Sequence, residues 1–361
     1  MGVQRHDPPP RRDHRHRNAG WSRVLAHALR DHASGRRDGD GGRGHRKAAQ
    51  PHRVGGSRLK LDQLSGVLIA LASPVGRDGS VDEPGVARLV EHVLAGGVHG
   101  VLALGSTGET ASLDEKGRRT VLAAVVRASG GRVPVICGVA QSHLGAAQAE
   151  IAAAAQLGAD AVLAAPPFYY PTDQAGVLDF YRQLARDAPL PVMLYNIPQF
   201  TKVVAEPATV ATLAREGMIK GIKDSSRDFE YFEGVCIATR DIAGFRVFTG
   251  SDTMLLASLA MGGAGTICGA GNVVPDWVVR IYDEFRRGDL DAARDAQEKL
   301  FELVSAVREG VFPLAIKAAL HMLGICEPWS APPVRRLDEK LEARLRERLA
   351  GWGLFAAAAS R

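Results

Sequence analysis

Eight short apolar runs, each followed by a stretch with helical apolar spacing, predict an α/β protein: a closed (β/α)8 TIM barrel with a C-terminal helical appendage. The runs are largely apolar throughout, as in parallel strands covered on both faces. The eight units occupy residues 66–288, the length of one barrel. A doubly wound open sheet is the alternative. It would carry a GxGxxG turn after its first strand, and none follows the run at 66–73.

The first run, 66–73, leads to a turn at Asp78-Gly79. Asp82 is placed to cap a helix whose Val86, Leu89, Val90, Val93 and Leu94 fall on one face. Gly96-Gly97 ends it, and the second run is 101–104. Ser112 and Glu115 have capping-box spacing, so the next helix is expected to start there. The third run, 133–139, is followed by an alanine-rich helix over 143–157. Runs at 161–165, 192–195, 219–223, 246–249 and 265–268 alternate with helices over 177–186, 207–216, 229–240, 253–261 and 275–285. Glycines at 97, 158 and 263 link helix ends to the next run, a weak internal repeat. Three more helices, over 290–307, 313–323 and 338–349, are expected to pack on the barrel. The expected division is thus an N-terminal extension at 1–60, a barrel at 61–288 and a helical region at 289–361.

The net charge of +5 is unevenly spread. Residues 1–60 hold 15 basic and 5 acidic residues, leaving 30 and 35 for the remainder. The basic character therefore belongs to the N-terminal segment, which also carries seven of the eleven histidines. Its Arg-, Gly-, His- and Pro-rich composition buries too little apolar surface to offset ordering entropy. A disordered extension is expected, an over-long reading frame being one explanation. A basic arm on nucleic acid or lipid, and a targeting segment, are the alternatives. The working expectation is a small-molecule enzyme with no nucleic-acid or membrane partner. The four cysteines form no CxxC pair, and the histidines of the body show no paired ligand spacing. No metal is expected, and a reducing, cytoplasmic setting is the default.

In a barrel, chemistry sits at the carboxyl ends of the strands. Lys223 ends the sixth run, after small or apolar neighbours, and alternation puts it on the side of Gly221 and Ile219. An amine held inside a barrel and away from water favours its neutral form, which can attack a ketone and form an imine. Tyr195 ends the fifth run and Tyr169 follows the fourth; a phenol at either can relay protons. Ser106 and Thr107, in the glycine-flanked turn after the second run, offer hydroxyl and N–H groups to a carboxylate.

Five segments, GSTGE at 105–109, PPFYYP at 166–171, LYNIP at 194–198, GIKDSS at 221–226 and FTGSD at 248–252, occur in that order. Together they resemble the dihydrodipicolinate synthase/N-acetylneuraminate lyase family of class I, Schiff-base-forming aldolases, over about residues 62–350. The resemblance implies a homotetramer built as a dimer of dimers, and a lysine imine with pyruvate or another 2-oxo acid in place of any cofactor. It puts Lys223 at the imine-forming position and Tyr195 at the proton relay, with Ser106 as relaying hydroxyl. Thr107 would hold the 2-oxo acid carboxylate, and Tyr169 would reach into a neighbouring subunit. Gly105, Gly250 and Ile267 would line the pocket.

Two departures bear on substrate. Dihydrodipicolinate synthases resemble one another in an arginine two residues after the LYNxP proline; here that residue is Phe200. An apolar ring cannot hold a carboxylate. The lyases resemble one another in an acidic pair after the seventh-strand glycine; here the segment is Ser251-Asp252-Thr253. The expected activity is therefore reversible cleavage of a 2-oxo acid, such as a 2-keto-3-deoxy sugar acid, to pyruvate and an aldehyde. Condensation of pyruvate with aspartate semialdehyde to 4-hydroxy-tetrahydrodipicolinate, a sugar-acid dehydratase, and a 2-oxo-acid-binding sensor barrel are the alternatives.

Overall fold

A computed structural model describes residues 64–333 and 336–355. The readings made for residues 1–60 lie outside the described residues.

Eight parallel strands close into a barrel in sequence order: β1 (Gly66–Ala70), β2 (Gly100–Ala103), β3 (Val135–Val139), β4 (Ala161–Ala164), β5 (Val192–Asn196), β6 (Gly221–Asp224), β7 (Arg246–Thr249) and β8 (Gly265–Cys268). Closure comes from β1 pairing with β8, Leu68 opposite Ile267. A helix follows each strand: α1 (Glu83–Ala95), α2 (Glu115–Ser129), α3 (Leu144–Gln156), α4 (Gln174–Arg186), α5 (Pro207–Arg215), α6 (Phe229–Thr239), α7 (Leu255–Ala260) and α8 (Pro275–Arg287). Then come α9 (Leu290–Val307), α10 (Leu314–Met322) and α11 (Glu339–Gly351).

Strand alternation divides the apolar side chains into two layers. Leu68, Leu102, Ile136, Leu163, Met193 and Phe248 fill the barrel interior. Their strand neighbours, such as Val67, Val101, Val162 and Leu194, face the helices. Burying one such side chain stabilises the fold by roughly 1.5–3 kcal/mol.

Local chemistry sets the helix starts. Asp82, Asp173, Asp228 and Asp289 each accept a hydrogen bond from a backbone N–H in the first turn of the following helix. His143 does the same for α3 through Nδ1, 3.2 Å from the Ala146 nitrogen. The start of α2 differs from expectation. Asp114, immediately before the helix, takes the Gly117 N–H at 2.6 Å, and Ser112 instead ends a 3-10 turn over Thr110–Ser112. The carboxylate next to the first turn is the better-placed acceptor. Other boundaries shift as well. β1 stops at Ala70 because Asn272 bonds the Ala70 carbonyl and the Ala72 N–H, turning the chain out of the sheet. A 3-10 turn over Asp252–Met254 delays α7. Ile219 precedes β6 and packs in the outer layer, so it does not share the face of Lys223.

The C-terminal helices are tied to the barrel by a buried ion pair. Lys317 of α10 is fully buried, with Nζ 3.0 Å from Glu109 Oε2, and also donates to the Ser73 carbonyl. The other Glu109 oxygen accepts from the Ala331 N–H at 3.1 Å. Removing one partner of such a pair strands a buried charge, at a cost of about 3–5 kcal/mol. Lys317→Met is expected to lower stability by about that amount in urea denaturation. An unchanged midpoint would show that the pair contributes nothing to holding the appendage.

Candidate active site

The carboxyl ends of β5 and β6 place two side chains together. Tyr195 and Lys223 are register partners, and both point into the barrel. Lys223 is 4% exposed, and its Nζ lies over the Tyr195 ring, 4.5 Å from the centroid. Among the described residues Lys223 makes no ion pair and no hydrogen bond, so no carboxylate neutralises it or fixes its position. The Ser106 hydroxyl reaches the Tyr195 hydroxyl at 3.4 Å, the long end of hydrogen-bond distance. Thr107 is buried beside Gly269, and Ile267 closes the inner wall.

Neighbouring contacts hold these strand ends. Asn196 donates to Asp224 Oδ1 at 2.8 Å and accepts from the Ala205 N–H. Ser226 bonds Asp224 through both its N–H and its hydroxyl. Burial pushes the Asp224 carboxyl up, and the bonds from Asn196 and Ser226 oppose that shift. The residues following Tyr195 and Lys223 are therefore locked to each other, which fixes the spacing of the Tyr195 and Lys223 side chains. Gly250 supplies room. A Cβ there would lie 2.0 Å from Ser225 Oγ and 2.8 Å from Lys223 Cε.

A cavity of about 340 Å³ opens onto these groups. Of the nine residues singled out in the sequence, Ser106, Thr107, Tyr195, Phe200, Lys223, Gly250 and Ile267 line it. A second cavity of about 330 Å³ adjoins it and is more apolar. Gly105 lines that one, and Ser106, Tyr195, Phe200 and Phe312 border both. Tyr169 borders neither; it is 81% exposed, with φ of 78°. Phe200, 56% exposed, sits at the rim.

Four further polar side chains at this cavity escaped the sequence reading: Gln199, Ser225, Arg227 and Arg308. Ser225 lies within the segment at 221–226 and Arg227 directly follows it, so their closeness in sequence to Lys223 was the available signal. Arg308 comes from the end of α9, and no local signal ties it to the strand ends. Burial pushes the Cys137 and Cys268 thiols up, so neither offers a thiolate nucleophile. Among the described residues no group of three or more His, Cys, Asp or Glu side chains is placed to hold a metal ion, and no helix is long and apolar enough to cross a membrane.

A buried, uncompensated amine beside a phenol and a hydroxyl, at the carboxyl end of a closed barrel, is suited to imine chemistry. Comparison with known proteins agrees. Residues 63–350 match the model of the dihydrodipicolinate synthetase family. The chain belongs to that family. It is accordingly a pyruvate-dependent carbon–carbon lyase of the Schiff-base class. It is 36% identical over 292 residues to 4-hydroxy-tetrahydrodipicolinate synthase of Methanoculleus marisnigri, covering 80% of this chain and 100% of that one. Among solved structures it is similar to YagE, a prophage protein of the family from E. coli in complex with pyruvate, with TM-score 0.78, 29% identity, and coverage of 81% of this chain and 100% of that one. A monomeric dihydrodipicolinate synthase variant gives TM-score 0.79 and 28% identity, covering 82% and 99%.

Gly250→Ala tests the spacing. Ser225 can rotate away, but the lysine side chain must shift. If Lys223 is the reacting group, a displacement of about 1 Å costs roughly a hundredfold in rate. The variant is expected to keep its melting temperature within a few degrees and to lose kcat on about that scale. Full activity would mean that Lys223 has room the structure does not give it.

Proposed function

We propose that this chain joins pyruvate to an aldehyde, and splits the product, through an imine on Lys223. The observation that carries the reading is the Lys223 amine, buried, without an ion-pair partner among the described residues and next to Tyr195. Lys223 Nζ adds to C2 of pyruvate; a C–N bond forms and water leaves. The iminium withdraws electrons, so a proton leaves the methyl carbon and an enamine results. That carbon attacks the aldehyde carbon, and the aldehyde oxygen takes up a proton through the Ser106–Tyr195 pair. Water then restores the ketone and frees the amine. Cleavage runs the same steps in reverse. Thr107, with the N–H groups of its turn, holds the carboxylate of the 2-oxo acid. No cofactor is required in this scheme.

For the aldehyde, the synthases among its relatives support aspartate semialdehyde, giving 4-hydroxy-tetrahydrodipicolinate, better than the sugar acid expected from the sequence. Phe200 is the one observation that favours a 2-keto-3-deoxy sugar acid, since it removes a carboxylate contact at that point of the rim.

The mechanism is tested by incubation with pyruvate and borohydride. A single mass increment is expected on Lys223, absent from Lys223→Ala. Tyr195→Phe is expected to retain the adduct and lose about a hundredfold or more in kcat. An adduct on another lysine would overturn the assignment. A comparison of kcat/KM for aspartate semialdehyde and a sugar-derived aldehyde separates the two substrate readings.

Tyr169 is assigned here to a second copy of the chain. A bulky residue with positive φ is strained, and this one presents its ring to solvent with Tyr170 packed edge-on at 5.0 Å. Sedimentation is expected to give a tetramer, and Tyr169→Ala to lower kcat while leaving borohydride trapping of pyruvate intact. A fully active monomer would contradict both.

A further inference from the structure

The cavity that holds Lys223 also holds two guanidinium groups that the imine steps do not use. Arg227 follows β6 in the left-handed region, with φ of 63°, a conformation a long side chain rarely adopts. Among the described residues it makes no hydrogen bond and no ion pair. Arg308 ends α9, with its side chain 33% exposed. Its one ionic partner among the described residues is Asp252, at 3.8 Å. Asp252 is already committed, since its other oxygen accepts the Ala270 N–H at 2.8 Å.

The charge lining this cavity therefore does not balance: besides Lys223, two arginines line it with one carboxylate, Asp252, and Val304, Val307, Phe312 and Ile316 are also in its wall. Burial and the charge on Arg227 both push the Arg308 guanidinium down from its ordinary value, and Asp252 only partly offsets them. Arg227 is exposed and the Arg308 side chain is partly buried, so an anion entering the cavity between them would meet two like charges, and a guanidinium fork matches a carboxylate.

We propose that Arg227 and Arg308 form the receptor for a carboxylate at the far end of the substrate, so that the aldehyde half carries an anionic group. The inference rests on the imine reading, because Lys223 and the Ser106-Thr107 turn define which end of the cavity is which. It narrows that reading to substrates with an anion at both ends. It also supplies the distal contact that Phe200 cannot make, from a different loop and from the appendage.

The test uses imine trapping with two 2-oxo acids of equal length. 2-Oxoadipate ends in a carboxylate, and 2-oxohexanoate ends in a methyl group. Both are incubated with the full chain and borohydride, and half-saturation of the Lys223 adduct is measured, with pyruvate as reference. Wild type is expected to favour 2-oxoadipate by about tenfold or more, the low end of what a charge-assisted hydrogen bond supplies. Arg308→Gln and Arg227→Gln are each expected to shrink that preference, the double variant to abolish it, and Arg308→Lys to keep part of it. Pyruvate trapping should be the same in all of them. A wild type without the preference, or glutamine variants that keep it, would overturn the proposal. Equal losses on pyruvate would also overturn it, by placing the arginines with the imine end. A wild type that traps none of the three acids would instead defeat the imine reading beneath it.

Discussion

The constraint on which the rest depends is the isolation of one amine. Lys223 is surrounded by barrel-lining side chains, and no carboxylate among the described residues lies close enough to pair with it. A buried lysine paired with a carboxylate would be held as an ammonium and could not add to a carbonyl. Closing eight strands into a ring shelters the group, and the Tyr195 ring lies against it. The enzyme class follows from this arrangement more directly than from the barrel, which serves many chemistries.

The C-terminal helices are part of the site. Lys317 and Glu109 join α10 to the turn that carries Ser106 and Thr107. Glu109 is held at φ of 54° in that turn, a backbone conformation that needs support from its surroundings. Arg308, Phe312 and Ile316 come from the same region and wall the cavity. The appendage thus braces the hydroxyl turn and supplies part of the cavity wall.

The barrel was legible in the sequence because its strands and helices are coded locally, by apolar runs and by caps such as Asp82 and Asp173. That Lys223, Tyr195, Ser106 and Thr107 line one cavity was legible because each lies at the carboxyl end of a strand or in the turn after it, and those ends converge on one face of a barrel. The misread cap at Ser112 was a choice between two adjacent acceptors, which packing resolves and spacing does not. The Asn272 clamp on β1, the Lys317–Glu109 pair and the approach of Arg308 to Asp252 were not legible. Each joins residues tens to hundreds of positions apart, and such pairings are set by how the barrel closes and how the appendage docks on it.

The most direct measurement is NMR of the full chain labelled with [ε-15N]lysine and incubated with [2-13C]pyruvate. A covalent imine at the sheltered nitrogen predicts a one-bond 13C–15N coupling that disappears in Lys223→Arg. A carbon-2 resonance that stays that of a free ketone, or a coupling that survives the substitution, would contradict the account.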